Sequence, residues 1–168
     1  MDSSGTGAPA VLVRLSAADA GEVLTLQRAA YVTEAQAHGD LALPPLMQSV
    51  DELAAELADH QVLALGLRQR ARLVAAVRVR ISDDTAELGR LAVAPDRQGQ
   101  GLGSRLLRQA ELQLPERVTL LRLFTGEHSL ANQRLYQRHG YTEDHRTSAG
   151  HYHLIHMTKI LRRRGGMS

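Results

Sequence analysis

A glycine-rich segment between an apolar run and a helical pattern constrains this chain more than any other feature. The apolar run covers residues 88–93 and the helical pattern covers 102–112. The segment between them reads Arg97-Gln98-Gly99-Gln100-Gly101-Leu102-Gly103-Ser104. Glycines let backbone N–H groups approach a ligand closely, and the first turn of a helix leaves amides unpaired at the positive end of its dipole. The segment therefore predicts a strand–turn–helix unit that binds phosphate groups through its backbone.

Two well-known phosphate-binding motifs do not match this segment. A P-loop needs a lysine after its last glycine, and the only lysine of the chain is Lys159. A dinucleotide fingerprint that started at Gly99 would place its third glycine at Ser104. The spacing that is present is Gln98-x-x-Gly101-x-Gly103. The loop thus indicates a phosphate ligand outside the P-loop and dinucleotide classes.

Composition indicates one globular domain. Of the 168 residues, 43% are hydrophobic and 23% are charged, which is an ordinary globular balance. We expect a disordered N-terminus over residues 1–9, a single domain over 10–161, and a basic flexible tail over 162–168. The chain has no cysteine, which excludes disulfides, a covalent acyl-cysteine intermediate and cysteine-based zinc sites.

Charge and hydropathy limit the partners. The N-terminus lacks the basic and apolar regions of a secretory signal, and no apolar run reaches the roughly 20 residues of a membrane span. Net charge is +2 and aromatic residues make up 3%, with no RNA-binding aromatic motif. The sequence therefore predicts a cytoplasmic protein with neither a membrane nor a nucleic acid as partner.

Periodicity predicts alternating strands and helices. Helical patterns cover 16–37, 49–59, 102–112 and 129–140, and strand patterns cover 11–15, 62–67, 72–81, 86–93, 118–124, 141–148 and 151–161. In the third strand, one face should hold Leu73, Ala75, Val77 and Val79, with Arg78 and Arg80 opposite. Short turns at 68–71 and 82–85 predict antiparallel pairing, and the helical connection predicts a parallel step. The expected fold class is α/β (α+β), a mixed, mostly antiparallel sheet of about seven strands with helices on both faces.

This order of elements resembles the GCN5-related N-acetyltransferase (GNAT) superfamily. Two segments carry the resemblance together, namely Glu87 through the loop to Gly103, and Asn132-Gln133-Arg134-Leu135-Tyr136-Gln137-Arg138-His139-Gly140-Tyr141. A third, Met157-Thr158-Lys159, is weak alone. The resemblance implies acetyl-CoA as cosubstrate, without a metal. It implies that backbone groups of Leu91, Ala92 and Val93 pair with the pantetheine arm as an added strand would.

The resemblance also assigns the remaining cofactor-binding positions. Amides from Gln98 to Ser104 (Gln98, Gly99, Gln100, Gly101, Leu102, Gly103, Ser104) would receive the pyrophosphate. Arg97 would add positive charge, although a solvated arginine is the equal alternative. Asn132 would contact the cofactor arm, four residues before Tyr136 on one helix face. For Leu91 to Val93 the alternative is core packing, which is compatible with backbone binding.

Two residues are expected to carry the chemistry. The resemblance places Tyr136 at the thioester sulfur, where a hydroxyl with a pKa of about 10 can donate a proton to a thiolate leaving group. The alternative is a core aromatic residue on an amphipathic helix. Glu87 matches a catalytic glutamate of some family members and would act as base through water. Its alternative is an exposed acid at the start of a strand.

The acceptor is the least constrained part of the sequence. The segment between the first strand and the first hairpin contains Tyr31, Glu34, His38 and Asp40. Its acids would favour a cationic amine if they face the pocket, and the alternative is that these residues form an exposed helix end. His151 and His153 should share one face of the last strand, with His156 opposite, and one of them could contact substrate. We expect transfer to a primary amine of a small molecule or peptide. The alternatives are an N-terminal protein acetyltransferase and a non-catalytic acyl-CoA sensor, and family analogy suggests a homodimer.

Overall fold

Seven strands form one sheet in the computed structural model, which describes residues 8–162. Its strands are β1 Ala10–Arg14, β2 Val62–Gln69, β3 Arg72–Ser82, β4 Thr85–Val93, β5 Leu120–Gly126, β6 Thr142–Ser148 and β7 His153–Ile160. Their order is β1-β2-β3-β4-β5-β7-β6. Among the strand pairs of the described residues, only β4–β5 is parallel. The predicted mixed, mostly antiparallel sheet is confirmed, while the expectations for residues 1–7 and 163–168 lie outside the described residues.

Within residues 8–162, five α-helices connect and cover the strands. They are α1 Ala20–His38, α2 Pro44–Met47, α3 Val50–Ala58, α4 Leu102–Gln113 and α5 Leu130–Arg138. The predicted capping box of α3 is present, because the Ser49 hydroxyl accepts from the Glu52 amide and the Glu52 carboxylate accepts from the Ser49 amide, both at 3.1 Å. Helix α2 was not predicted. A proline is tolerated in the first turn of a helix, so Pro44 starts this turn after Gly39 has ended α1.

The core lies in two layers on opposite faces of the sheet. One layer packs α4 and α5 against β2 to β5 through residues such as Leu106, Val77 and Leu121. The other packs α1 and α3 against the opposite face through Val23, Leu53 and others. Within residues 8–162 no helix is long and apolar enough to cross a membrane.

The predicted faces of β3 need one correction. Leu73 packs in the α1/α3 layer, whereas Ala75 and Val77 pack in the α4/α5 layer with Val74. The β2–β3 register shifts after Leu67, so that one residue of β3 is left over and the side-chain alternation is reset. Sequence alternation assumes an uninterrupted ladder, and the prediction for Leu73 was wrong for that reason.

Candidate active site

A bulge in β4 sets the geometry of the site. Ala76 faces Ala92 and Arg78 faces Gly89, so two residues of β4, Arg90 and Leu91, stand opposite one residue of β3. Arg90 takes a left-handed backbone conformation, with φ of 54°. The extra residue resets the side-chain alternation, and Leu91 packs in the α4/α5 layer while Arg90 lines a cavity below α1.

Pairing between β4 and β5 ends at Glu87, ahead of the bulge. Their parallel ladder joins only Thr85–Glu87 to Leu120–Arg122. Within the described residues, Leu91, Ala92 and Val93 have no partner in β5, although β3 still pairs with Ala92 and Val93 on the other side. Ala92 is buried, and the side chains of Leu91 and Val93 pack against the α4/α5 layer. The strand edge toward β5 is therefore open for hydrogen bonding while the side chains serve the core.

The glycine-rich loop follows β4 directly. Gly99 and Gly101 have φ values of 78° and 77°, a conformation that glycine adopts without strain, and open space surrounds both of them. In the part of the chain that the structure describes, the amides of residues 98–101 donate no hydrogen bond. The first hydrogen bond of α4 runs from the Arg105 amide to Gly101 O. The amides of Leu102 to Ser104, in the first turn, therefore have no acceptor within the helix. The loop therefore carries unpaired amides where the sequence predicts a phosphate site, and phosphate binding itself stays a prediction.

The loop contacts its surroundings through the Arg97 side chain and through close packing at Gly103. Arg97 donates to Gln69 Oε1 at 2.7 Å and to Asp96 Oδ2 at 2.8 Å, so its charge is partly used by an internal partner. A Cβ on Gly103 would lie 3.4 Å from Leu135 of α5, which shows how closely the two helices approach. The loop is therefore held against both β2 and α5.

Tyr136 of α5 lines a cavity together with Gly89 of β4 and Thr125 of β5. The side chain is 6% exposed and lines the cavity, and its ring lies 6.0 Å from that of Tyr141. Among residues 8–162 its hydroxyl has no hydrogen-bonding partner. Burial raises the pKa of Tyr136 far above its usual value, and the nearby Tyr31 and Glu34 add to that rise. The hydroxyl is thus a protonated donor at neutral pH.

A cavity of about 580 Å³ lies between Tyr136, the end of α1 and the strands β3 and β4. The sequence allowed two positions for four residues, either facing the pocket or at an exposed helix end. All four line the cavity, namely Tyr31, Glu34, His38 and Asp40. Glu87 and Asn132 line it too, although Glu87 is exposed at the last β4–β5 pair. His151, His153 and His156 lie outside the lining.

Glu34 was not assigned a catalytic role from the sequence, yet it is tied to α5. Its carboxylate accepts a hydrogen bond from the Ser129 hydroxyl and another from Asn132 Nδ2 at 3.3 Å. Burial raises the pKa of Glu34. The contact joins residues 95 and 98 positions apart, and no local sequence signal predicts such a pairing.

One wall of the cavity is a connected set of rings. His38 Nδ1 donates to Glu34 O at 2.8 Å, and its Nε2 accepts from the His128 amide at 3.0 Å, which defines a neutral tautomer. The Tyr152 hydroxyl donates to Asp40 at 2.8 Å. Burial, and to a smaller extent this hydrogen bond, raises the pKa of Tyr152 to about 12. The wall therefore presents oriented polar groups.

The other wall contains three arginines. Arg78 is 4% exposed and donates from Nε to Glu56 at 2.9 Å, with further bonds to Gln27 and Gln48. Arg80 pairs with Asp59 at 2.9 Å. Arg90 has neither a hydrogen bond nor an ion pair from its side chain within the described residues.

Histidines of β6 and β7 form a separate cluster near the β6 edge of the sheet. His156 stacks on His145 with 4.3 Å between ring centroids, and the β7 strand begins at His153 rather than at the predicted His151. His151 instead donates from Nε2 to His38 O at 2.5 Å. Within residues 8–162 no group of histidines and acids is arranged to hold a metal ion.

Comparisons with solved structures give the same fold. The chain matches the ribosomal-protein-S18-alanine N-acetyltransferase of Escherichia coli with a TM-score of 0.77, at 24% identity, covering 94% of this chain and 97% of that one. It matches the PaiA N-acetyltransferase of Thermoplasma acidophilum, solved with coenzyme A, with a TM-score of 0.73 at 18% identity, covering 91% and 99%. No curated protein sequence matches significantly.

A family model identifies the chain. Residues 58–143, from the end of α3 into β6, match the model described as an acetyltransferase (GNAT) domain. That segment holds the β4 bulge, the glycine-rich loop and α5, and it covers half of the chain. The protein belongs to the GNAT acetyltransferase family.

Proposed function

We propose that this protein is an N-acetyltransferase that moves an acetyl group from acetyl-CoA directly to a primary amine of a small molecule or peptide. One observation carries the proposal. Within residues 8–162, the loop after β4 carries unpaired amides, and the unpaired Tyr136 hydroxyl lines a cavity with residues of β4 and β5, which stop pairing after Glu87. Acetyl-CoA would supply an activated thioester acyl group at this cavity.

The chain's own residues suit such a cosubstrate. Amides of residues 98–104 would hold the pyrophosphate, because open space around Gly99 and Gly101 leaves the backbone accessible. The open edge of Leu91, Ala92 and Val93 would bind the pantetheine amides. Arg97 would contribute charge from its fixed position, and Asn132 would contact the arm after giving up its bond to Glu34.

Tyr136 would act as general acid. Its hydroxyl stays protonated because burial disfavours the phenolate, and it is free to donate to the departing sulfur. Glu87 at the cavity mouth would take the proton of the amine through water. Glu34 is a second carboxylate in the cavity, and burial raises its pKa, which makes it a stronger base than an exposed glutamate.

Two alternatives remain testable. An N-terminal protein acetyltransferase draws support from the likeness to the S18-alanine enzyme. A non-catalytic acyl-CoA sensor would bind cofactor without turnover, and the unpaired Tyr136 hydroxyl favours the enzyme over it. A cytoplasmic location and a homodimer stay predictions.

The proposal is tested in two steps. Calorimetric titration with acetyl-CoA measures binding, and absence of binding at millimolar cofactor contradicts all three functions. A thiol-release assay then compares amino acids, amino sugars, polyamines and peptides. Cofactor binding without turnover of any acceptor favours the sensor, and turnover restricted to peptides favours the protein acetyltransferase.

A further inference from the structure

Arg90 is the arginine of the cavity lining that forms no ion pair with an acid of the described residues. It is half-buried, and within residues 8–162 its guanidinium has neither an ion pair nor a hydrogen bond. Arg78 and Arg80, the other two arginines of the lining, are paired with Glu56 and Asp59. A partly buried cation without a partner is costly, so a complementary anion from a ligand would stabilise it.

Three of the four acids in the cavity lining are already engaged by other residues. Glu56 accepts Arg78 at one oxygen and Gln48 Nε2, at 2.8 Å, at the other. Glu34 is held by Ser129 and Asn132. Asp40 is held by Tyr152 and by the Ala42 amide at 2.9 Å. Glu87, the remaining acid of the lining, forms no ion pair with Arg90.

The backbone directs Arg90 into the cavity. Arg90 sits at the β4 bulge in a left-handed conformation that a non-glycine residue rarely adopts. Without the bulge, the alternation of Ala86 and Leu88 would place residue 90 in the α4/α5 layer. Its charge acts on Tyr31, Arg78 and Glu56, which places the guanidinium on the α1/α3 side of the cavity.

Charge is divided across the cavity. Arg90 lies on the strand wall, while Glu34 lies on the α1 wall, bonded to the helix that carries Tyr136. A primary amine that reacts beside Tyr136 would approach the Glu34 side. An anionic group on the same molecule would then meet Arg90, whose planar fork suits a carboxylate.

We propose that Arg90 binds a carboxylate on the acceptor, so that the substrate is a small primary amine of the amino-acid class. The inference rests on the acetyltransferase activity proposed above and adds the acceptor's second charged group. The acceptor's amine acquires the acetyl group and loses a proton, the thioester bond breaks, and the sulfur leaves protonated as free coenzyme A. Arg90 takes no part in these bond changes.

Matched acceptors test the proposal. Amino acids are compared with the amines that lack only the carboxylate, and with peptides, by thiol release. The wild-type protein should prefer the carboxylate form by at least about tenfold in kcat/KM, as expected for a charge-assisted pair. Arg90→Gln should remove that preference, mainly through KM, and Arg90→Lys should retain part of it. The acetyl-CoA affinity should stay unchanged in both variants.

Arg70→Gln is the control, because Arg70 has a similar left-handed backbone, with φ of 57°, in the β2–β3 turn outside the cavity lining. It should leave the preference intact. Three results would overturn the proposal. One is a wild-type protein that acetylates amino acids and the matched amines without carboxylate equally well. The others are a preference for peptides that Arg90→Gln does not alter, and an Arg90→Gln variant that still prefers the carboxylate form. Failure to bind acetyl-CoA would instead overturn the proposed function itself, and the inference with it.

Discussion

The His38 ring packs directly against Gly126, in the space that a side chain at residue 126 would fill. A Cβ added to Gly126 would lie 2.2 Å from His38 Nε2. Gly126 ends β5, and His38 ends α1 with its side chain buried in the cavity wall. The absence of one methyl group therefore lets the end of α1 lie against the sheet beside the Glu34 site.

Gly126→Ala should destabilise the fold by about 1–3 kcal/mol, since overpacking must displace the His38 ring. Chemical denaturation measures the loss. Gly21→Ala is the control, because nothing lies within 4 Å of its Cβ on the exposed face of α1. That variant should gain up to about 1 kcal/mol from helix propensity. Equal effects of the two substitutions would contradict the packing account.

Arg78→Met should destabilise the protein by about 3–5 kcal/mol, because it leaves Glu56 half-buried without its cation. Burial raises the pKa of Glu56, but Arg78, the hydrogen bond from Gln48 and the charge of Arg90 together hold it below its usual value. The double variant Arg78→Met/Glu56→Gln should recover part of the loss in urea unfolding. No recovery would mean that packing, rather than the unpaired charge, dominates.

Tyr136→Phe should lower kcat by roughly 100-fold or more if Tyr136 is the general acid, with little change in acetyl-CoA affinity. Because burial raises the Tyr136 pKa above its usual value of 10.0, any loss of rate below that pH has to come from another group. Pre-steady-state and steady-state assays of the wild type and Tyr136→Phe across pH measure the change in kcat and its pH dependence. Unchanged turnover would remove Tyr136 from the mechanism.

Gly101→Ala should weaken acetyl-CoA binding by roughly tenfold. The left-handed conformation of residue 101 costs an alanine about 1–2 kcal/mol, and relief of this strain would move the loop amides. Gly150→Ala is matched to it, with φ of 78° and open space around it, but lies outside the loop. Calorimetry should show normal cofactor affinity for the control. Equal affinity in both variants would contradict the cradle.

Glu34→Gln and Glu87→Gln separate the two carboxylates as catalytic bases. Burial raises the Glu34 pKa, so a rate that depends on ionised Glu34 should fall as pH drops through a value above the usual 4.5. Glu34→Gln should then abolish that acid limb and lower kcat, while Glu87→Gln keeps it. The reverse pattern assigns the base to Glu87.

Contiguous sequence determined much of this protein. The loop from Gln98 to Ser104, the capping box at Ser49, and strand alternation are local, because hydrogen bonds and backbone preferences act over a few residues. The family resemblance and the order of seven strands followed from such segments. Placement of Tyr136 one strand after the loop needed no tertiary information.

Only the tertiary structure decided how distant segments meet. The face of Leu73 and the direction of Arg90 depend on bulges, which arise from pairing between strands and reset the alternation. Burial of Arg78 and the contact of Glu34 with Ser129 depend on where α1 and α3 pack. The physical reason is that a residue's chemistry is encoded locally, whereas its burial and partners are set by elements far away in sequence.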